Sequence, residues 1–501
     1  MSKQIQDPQT GEFITLVPVT HWYNGNTMSD TYVDNILYFK GETTDDAAYY
    51  MRYIEDHINV KWFGAKGDGS DATVSIQNAF NYLIDMCKYR LEPNSYHYLC
   101  CLIPDGRYQI TNTLLFPKSC TLKGASKHGT ILFTNNANIS VIFPTEKGTT
   151  ANDHWHQDSE APGFVYSNTG EEFTNISDLT IAGPNYGINP SIERGVLNNF
   201  NNGIIIQNTD KLILRNLHIE GFENAGIQVN NSYYTHIENS TFFNNKIGLL
   251  ADGVSTTMEV SNSVFRLNSV GMSFFNSYGC SITNTIIESN ISNYLRLLDI
   301  NRSPYISSGV GVLMNNCKSI SFDGCYIENH IVGVVLDNSH SNVFCNSFLS
   351  PSNNNANTYV TWFYGSNSSY NKFADNYYLS SDTSLYPAFK FFVFQKDSSK
   401  GNVFELTMKD HLDSFISQNA AEFTEFRTLG LAQNAPKFIC TGANEQFIDA
   451  ERRYIIDKTF GSTTERPTVN LYKGQHYFDS TLGKPIFWQG VKWVKADGTD
   501  A

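Results

Sequence analysis

The sequence predicts an all-β protein: a right-handed parallel β-helix, a single-stranded solenoid with an N-terminal capping helix and small terminal modules. Three observations predict it. Asn216, Asn239, Asn262, Asn284, Gly324 and Asn346 head six similar segments, and four of the five intervals are 22 or 23 residues, a period that marks a solenoid. Two residues before each marker stands a large apolar residue (Leu214, Ile237, Val260, Ile282, Phe322, Phe344), and three after it another (Ile219, Phe242, Phe265, Ile287, Ile327, Leu349). Between them, apolar and variable positions alternate with the period of a strand. Helical repeats would need apolar faces of period 3.6, and these segments are rich in Ser, Thr, Asn, Ile and Phe instead.

Each part of the unit has a local reason. Asn or Gly at the marker suits a tight turn of unusual φ/ψ. The residue after it is mostly small (Leu217, Ser240, Ser263, Thr285, Cys325, Ser347), and a glycine about nine residues on (Gly226, Gly248, Gly271, Gly333) is expected to supply another bend. Equivalent positions on successive coils then stack about 4.8 Å apart.

Along the chain, residues 1–58 carry no coil repeat and read as a separate head. Residues 59–350 read as the β-helix, and Ile76, Ala79, Phe80, Leu83 and Cys87 fall on one face of a capping helix near 72–90, with Asp71 or Thr73 available as its N-cap. Such a helix closes an end that would otherwise offer unpaired strand edges. Residues 351–458 read as weaker coils and a connecting region, with a short helix expected in HLDSFISQNAAEFTEF. Residues 459–501 read as a small module with Phe487, Trp488 and Trp493 as its core.

Composition narrows the partners. A net charge of −14 and a pI near 5.3 leave no general basic face, so neither nucleic acid nor anionic membrane is expected to bind. The start, MSKQIQDPQTGEF, lacks the charged-then-apolar pattern of a signal segment, and no apolar run is long enough to span a bilayer, so cytoplasmic synthesis without membrane insertion is expected. Nine cysteines include Cys280, Cys317, Cys325 and Cys345 within the coils, where reduced thiols act as small apolar filler.

Certain motifs resemble a known family. Asn59-Val60-Lys61-Trp62-Phe63-Gly64-Ala65-Lys66-Gly67-Asp68-Gly69, Ile76-Gln77, Ile103-Pro104-Asp105-Gly106-Arg107-Tyr108 and Thr121-Leu122-Lys123-Gly124 resemble the first coils of the pectate-lyase-like β-helix superfamily, common in phage tailspikes and polysaccharide-degrading enzymes. The linker between Gly69 and Ile76 is one residue shorter than the family's usual form and lacks one of its carboxylates. The C-terminal run Phe460-Gly461, Arg466-Pro467, Tyr477-Phe478-Asp479, Lys484-Pro485-Ile486-Phe487-Trp488 and Trp493-Val494 resembles a tail module of fibre and surface proteins from phages and bacteria of the Bacteroides group. Trp22-Tyr23-Asn24-Gly25 through Ile36-Leu37-Tyr38 is similar to their N-terminal attachment segments. Together these resemblances imply a virion fibre or tailspike, homotrimeric, attached to other virion proteins through its head and facing a host cell-surface polysaccharide.

The candidate chemistry lies in the column four residues after the marker: Glu220, Phe243, Arg266, Glu288 and Glu328. If residues 291–309 loop out, Glu288 and Glu328 occupy adjacent coils with Cβ atoms roughly 5 Å apart. That is close to the ~5–5.5 Å between the carboxyl groups of retaining glycosidases, and the pair is the candidate catalytic centre. Arg266, with Arg296, Arg302 and Tyr305 on the loop and with Asp323 and Glu238 in the column before the marker, frames a candidate sugar site. Outward glutamates on a solenoid are usually just solvated, and long side chains can splay apart, so a non-enzymatic adhesin or structural fibre stands beside a depolymerase acting by hydrolysis or elimination. His154-Trp155-His156 lacks a complementary Cys or His pair, so neither a metal nor a cofactor is expected.

Overall fold

The computed structural model describes residues 2–88 (apart from 23–24 and 44–46), 100–145 (apart from 118–119), 174–188, 201–290 (apart from 208), 309–350 (apart from 331), strands between 360 and 456, and 460–466 with 476–501. His154, Trp155 and His156 lie outside the described residues. The chain divides into two compact units, one chiefly residues 1–250 and the other chiefly 251–501.

The first unit begins with an antiparallel sheet of Lys3–Gln6, Phe13–Pro18, Tyr49–Arg52 and Tyr38–Lys40, in that spatial order. Its buried charge is paired: Arg52 and Asp7, 1% and 0% exposed, meet at 2.9 Å, and Arg52 also donates to Ile36 O and lies 4.3 Å above the Trp62 ring. Desolvation would raise the Asp7 pKa, but hydrogen bonds from Gln9, Arg52 and Thr10 outweigh it and the pKa is lowered. A second head cluster, Met28, Leu37 and Tyr38, packs on Trp62, Phe63 and Tyr82, which fastens the head to the cap within this unit.

The cap follows the expected plan. Val60–Phe63 forms a 3-10 turn closed by Gly64 at φ 94°, and the α-helix spans Thr73–Lys88. Asp71 supplies the capping carboxylate, accepting from Thr73 N at 3.0 Å. Ile76, Ala79, Phe80 and Leu83 are fully buried, and Gln77 exchanges hydrogen bonds with the backbone of Leu115. The Gly-Asp-Gly and Asp-Gly turns meet here: a Cβ on Gly106 would lie 2.7 Å from Gly67 O, so only glycine allows the two chains to approach.

The coils are three-sided and parallel. In the first unit Thr174–Ser177, Asp210–Arg215 and Tyr233–Glu238 pair in register, as do Thr180–Ala182, His218–Glu220 and Thr241–Phe243, and Asn202–Gln207 with Ala225–Asn230. In the second unit the three ladders run through Ser281–Thr283 and Ser321–Asp323, Ile286–Glu288 and Tyr326–Glu328, and Val310–Asn315 and Val332–Asp337. Every marker asparagine adopts left-handed φ, from 46° to 53°, and Gly324 has φ 63°. The inward positions before and after it are buried.

The later glycines differ from expectation. Gly226, Gly271 and Gly333 are second residues of strands, not bends. Their role is close approach: a Cβ on Gly311 would lie 2.6 Å from Gly333 O and one on Gly271 2.6 Å from Gly311 O. The segment expected to hold a short helix contains strands Ser414–Gln418 and Thr424–Leu429 instead. Pairing of Phe415 with Phe391 and Phe438, and of Phe426 with Phe404 and Phe447, holds it in the parallel ladders, and tertiary pairing overrides local helix propensity. In the terminal module Tyr477, Ile486 and Trp493 form the buried cluster, with Trp488 packed against it. Phe487 is not part of it, because its neighbour Ile486 takes the inward face and successive strand residues point oppositely.

Candidate functional site

The short strands Val264–Arg266, Ile286–Glu288, Tyr326–Glu328 and Phe348–Ser350 form one ladder of the second unit. Their middle residues, Phe265, Ile287, Ile327 and Leu349, are all fully buried, so the flanking positions face outward by strand alternation. One outward column reads Arg266, Glu288, Glu328, and the other Val264, Ile286, Tyr326, Phe348. Glu288 and Glu328 are direct partners on neighbouring coils, although 40 residues separate them in sequence.

Each carboxylate has its own partner. Arg266 Nε lies 3.7 Å from Glu288 Oε2, and the Tyr326 hydroxyl donates a short hydrogen bond to Glu328 Oε2. Burial, that hydrogen bond and the negative charges of Glu328 and Glu288 push the Tyr326 pKa up, so the phenol keeps its proton. Tyr326 also stacks on Phe348, centroids 4.5 Å apart and planes within 4°. The result is a half-buried acidic pair beside a flat aromatic surface. Carboxyl groups paired on adjacent coils suit glycosidic bond cleavage, and rings suit the apolar faces of sugars.

Beneath the face, the turn that follows each strand is held by internal ladders. Asn268 N and Nδ2 donate to Asn290 Oδ1 at 3.0 and 2.9 Å. One coil on, His330 replaces the asparagine: its Nδ1 accepts from Asn290 N, and its Nε2 donates to Ile287 O. Burial lowers the His330 pKa to about 4, so the ring is neutral and both nitrogens are used.

The other expected site residues are placed differently. Asp323 is exposed on the preceding strand, before the Gly324 turn, and accepts from Asn346 Nδ2 at 2.9 Å. No described hydrogen bond joins it to the acidic pair. Glu238 belongs to the first unit, where it lies 3.7 Å from Arg215. Arg296, Arg302 and Tyr305 lie outside the described residues. Tyr326 and Phe348 were missed by a reading that ranked columns by charge, yet a residue two before an outward glutamate must share its face. Within the coils, Cys280, Cys317 and Cys325 are almost fully buried. Burial pushes their thiols up to about 11, 12 and 12, as fits inert filler. Among the described residues no group of three or more His, Cys, Asp or Glu is arranged to hold a metal, and no helix is long and apolar enough to cross a membrane.

Residues 57–273 match the family model for the rhamnogalacturonase A/epimerase, pectate lyase-like domain. The coils within those residues are pectate-lyase-like. Similar solved structures share this architecture. The enzymatically active domain of bacteriophage CBA120 tailspike protein 2 has a TM-score of 0.53 at 12% identity, covering 92% of this chain and 61% of that one. The full-length tailspike protein 2 of an Escherichia coli O157:H7 bacteriophage has a TM-score of 0.50 at 12% identity, covering 88% of this chain and 52% of that one. The DFA-IIIase of Arthrobacter chlorophenolicus A6, in complex with DFA-III, has a TM-score of 0.53 at 8% identity, covering 76% and 96%. This chain thus spans about three fifths or less of the tailspike chains it resembles. At these identities the likeness is one of fold. No curated protein matches by sequence.

Proposed function

We propose that this protein is a tailspike of a phage virion that binds a host surface polysaccharide on the outward face of its second unit and cleaves it at Glu288 and Glu328. The observation that carries the reading is the register of the two glutamates on adjacent coils, with Arg266 beside one, the Tyr326 hydroxyl on the other and the Tyr326–Phe348 stack alongside. Coil spacing of about 4.8 Å suits a pair in which one carboxyl protonates the leaving glycosidic oxygen while the other attacks the anomeric carbon. Tyr326 fixes one oxygen of Glu328 and leaves the other for the sugar. The structural likeness to phage tailspikes supports the same reading at the level of fold. The N-terminal sheet is then the attachment head, and three chains assemble around the shaft, as symmetric fibres do.

The test is incubation of the purified protein with its host's surface polysaccharide, scoring chain length and new reducing ends. The parent shortens the polymer, whereas Glu288→Gln and Glu328→Gln bind it but cleave at least a hundredfold more slowly, since an amide neither donates nor accepts the catalytic proton. Full cleavage by the double Gln variant eliminates this site. Binding by the parent without cleavage makes the protein a non-enzymatic adhesin, and the absence of binding removes the reading altogether.

A further inference from the structure

One buried titratable group takes no part in the chemistry above. His330 is 1% exposed and follows the strand Tyr326–Glu328 by two residues. The same place on other coils belongs to asparagine, which ties its coil to the preceding one with two bonds. In the first unit Asn245 Oδ1 accepts from Phe222 N at 3.0 Å, and Nδ2 donates to Ile219 O at 3.1 Å. In the second, Asn290 Oδ1 accepts from Asn268 N at 3.0 Å, and Nδ2 donates to Phe265 O at 3.0 Å. His330 makes both bonds with a ring: Nδ1 accepts from Asn290 N at 3.3 Å, and Nε2 donates to Ile287 O at 3.0 Å.

Ile287 and Asn290 bracket Glu288 in the chain. The ring thus grips the backbone on both sides of one glutamate from the coil that carries the other. It is closely seated, since a Cβ on Gly311 would lie 2.8 Å from His330 Cδ2 and 2.9 Å from Nε2. Partner chemistry fixes its state: Ile287 O only accepts and Asn290 N–H only donates, so the neutral ring with its hydrogen on Nε2 satisfies both. A second proton, on Nδ1, would point at the Asn290 N–H and break that bond. The titratable groups on the surrounding strands turn away from the ring. Arg266, Glu288, Tyr326 and Glu328 face outward, and Asp337 accepts from Asn315 Nδ2 at 2.8 Å. Asparagine, with no proton to gain, would hold the same bonds at any pH.

We propose that His330 is a positioning residue for the acidic pair: its neutral ring locks the strand carrying Glu288 to the coil carrying Glu328, and protonation of the ring releases that lock. The role in catalysis rests on the cleavage reading above, whereas the lock itself is a property of the fold. The site is then switched off by acid through its backbone as well as through its own carboxylates.

The test compares the full chain with His330→Asn at pH 6.5 and at pH 4, where burial leaves the ring half protonated. Amide hydrogen exchange, corrected for its intrinsic pH dependence, reads the lock at Ser289 and Asn290. One buried hydrogen bond is worth about tenfold in a local opening equilibrium. With half the rings protonated, exchange there is expected to rise about fivefold in the parent, while the strand Val264–Arg266, held by Asn290 Nδ2, does not follow. His330→Asn is expected to show no such rise. On host polysaccharide, the variant is expected to keep about twofold more of its own pH 6.5 cleavage rate at pH 4 than the parent does, because titration of the carboxylates is common to both. Unchanged exchange at Ser289 and Asn290, an equal rise in Val264–Arg266, or an equal rise in the variant overturns the lock. Equal retained rates overturn the positioning role. Should the variant fail to fold, the comparison of the two strands within the parent decides the lock. A parent that does not cleave removes the catalytic reading, and the lock is then judged by exchange.

Discussion

At the scale of single residues, two buried groups carry consequences that solution measurements reach directly. His330 is neutral in the folded protein because burial lowers its pKa from 6.5 to about 4. Between those values the unfolded chain binds a proton that the native state refuses, so stability rises with pH across that window and is lost as pH falls from about 6.5 towards 4. The full effect is on the order of 3 kcal/mol. His330→Asn, which restores the residue found at Asn268 and Asn290, is expected to flatten this part of the acid limb in urea unfolding, and a limb identical to the parent's would refute the assignment. In the head, Asp7→Asn strands the buried Arg52 charge and is expected to cost about 3–5 kcal/mol, read as a lower thermal midpoint for the first unit. The roles of Asn216, Asn239, Asn262, Asn284 and Asn346 were legible in the sequence because a left-handed turn tolerates few side chains. His330 was not legible, since its place in the asparagine ladder depends on a neighbouring coil 40 residues earlier.

At the scale of elements, the stacked columns supply the rigidity that the candidate site needs. Phe322, Phe344, Phe373 and Phe404 stack face to face with centroids 4.6, 4.7 and 4.9 Å apart. Such a stack tolerates no charge: Phe322→Asp or Ile282→Asp buries an unpaired carboxylate and is expected to abolish soluble folding, seen as loss of the parent's melting transition. Outside it, Asn276, Asn316, Asn338 and Asn367 pass hydrogen bonds from coil to coil at 2.6, 3.1 and 3.0 Å. Asn316→Ala removes two of these and leaves a non-glycine at φ 52°, so a loss of about 1–3 kcal/mol is expected in chemical denaturation. The coil phase could be read from 216 to 346 because the period there is nearly constant. Further on, partners such as Asn342 and Asn371, or Asn371 and Asn402, stand 29 and 31 residues apart, and the lengthened interval hid the ladder. Columns of one face were legible as charges, and so the register of Glu288 with Glu328 on adjacent coils could be expected.

At the scale of the whole molecule, the proposed tailspike carries its candidate chemistry on the outward face of the second unit's coils. A small terminal module with a core of Tyr477, Ile486 and Trp493 buries little apolar area by itself, and small folds of that kind gain stability by association. Light scattering at micromolar concentration is expected to give about three times the 56.4 kDa chain mass, and a monomeric mass would contradict the assembly. The central claim is that the polysaccharide lies across the face bearing Glu288, Tyr326 and Glu328. Its most direct test is a crystal structure of the double variant Glu288→Gln, Glu328→Gln with a fragment of the host polysaccharide. The account predicts a sugar ring against Tyr326 and Phe348 with a glycosidic oxygen between the two amides, and a fragment bound elsewhere with this face bare would contradict it.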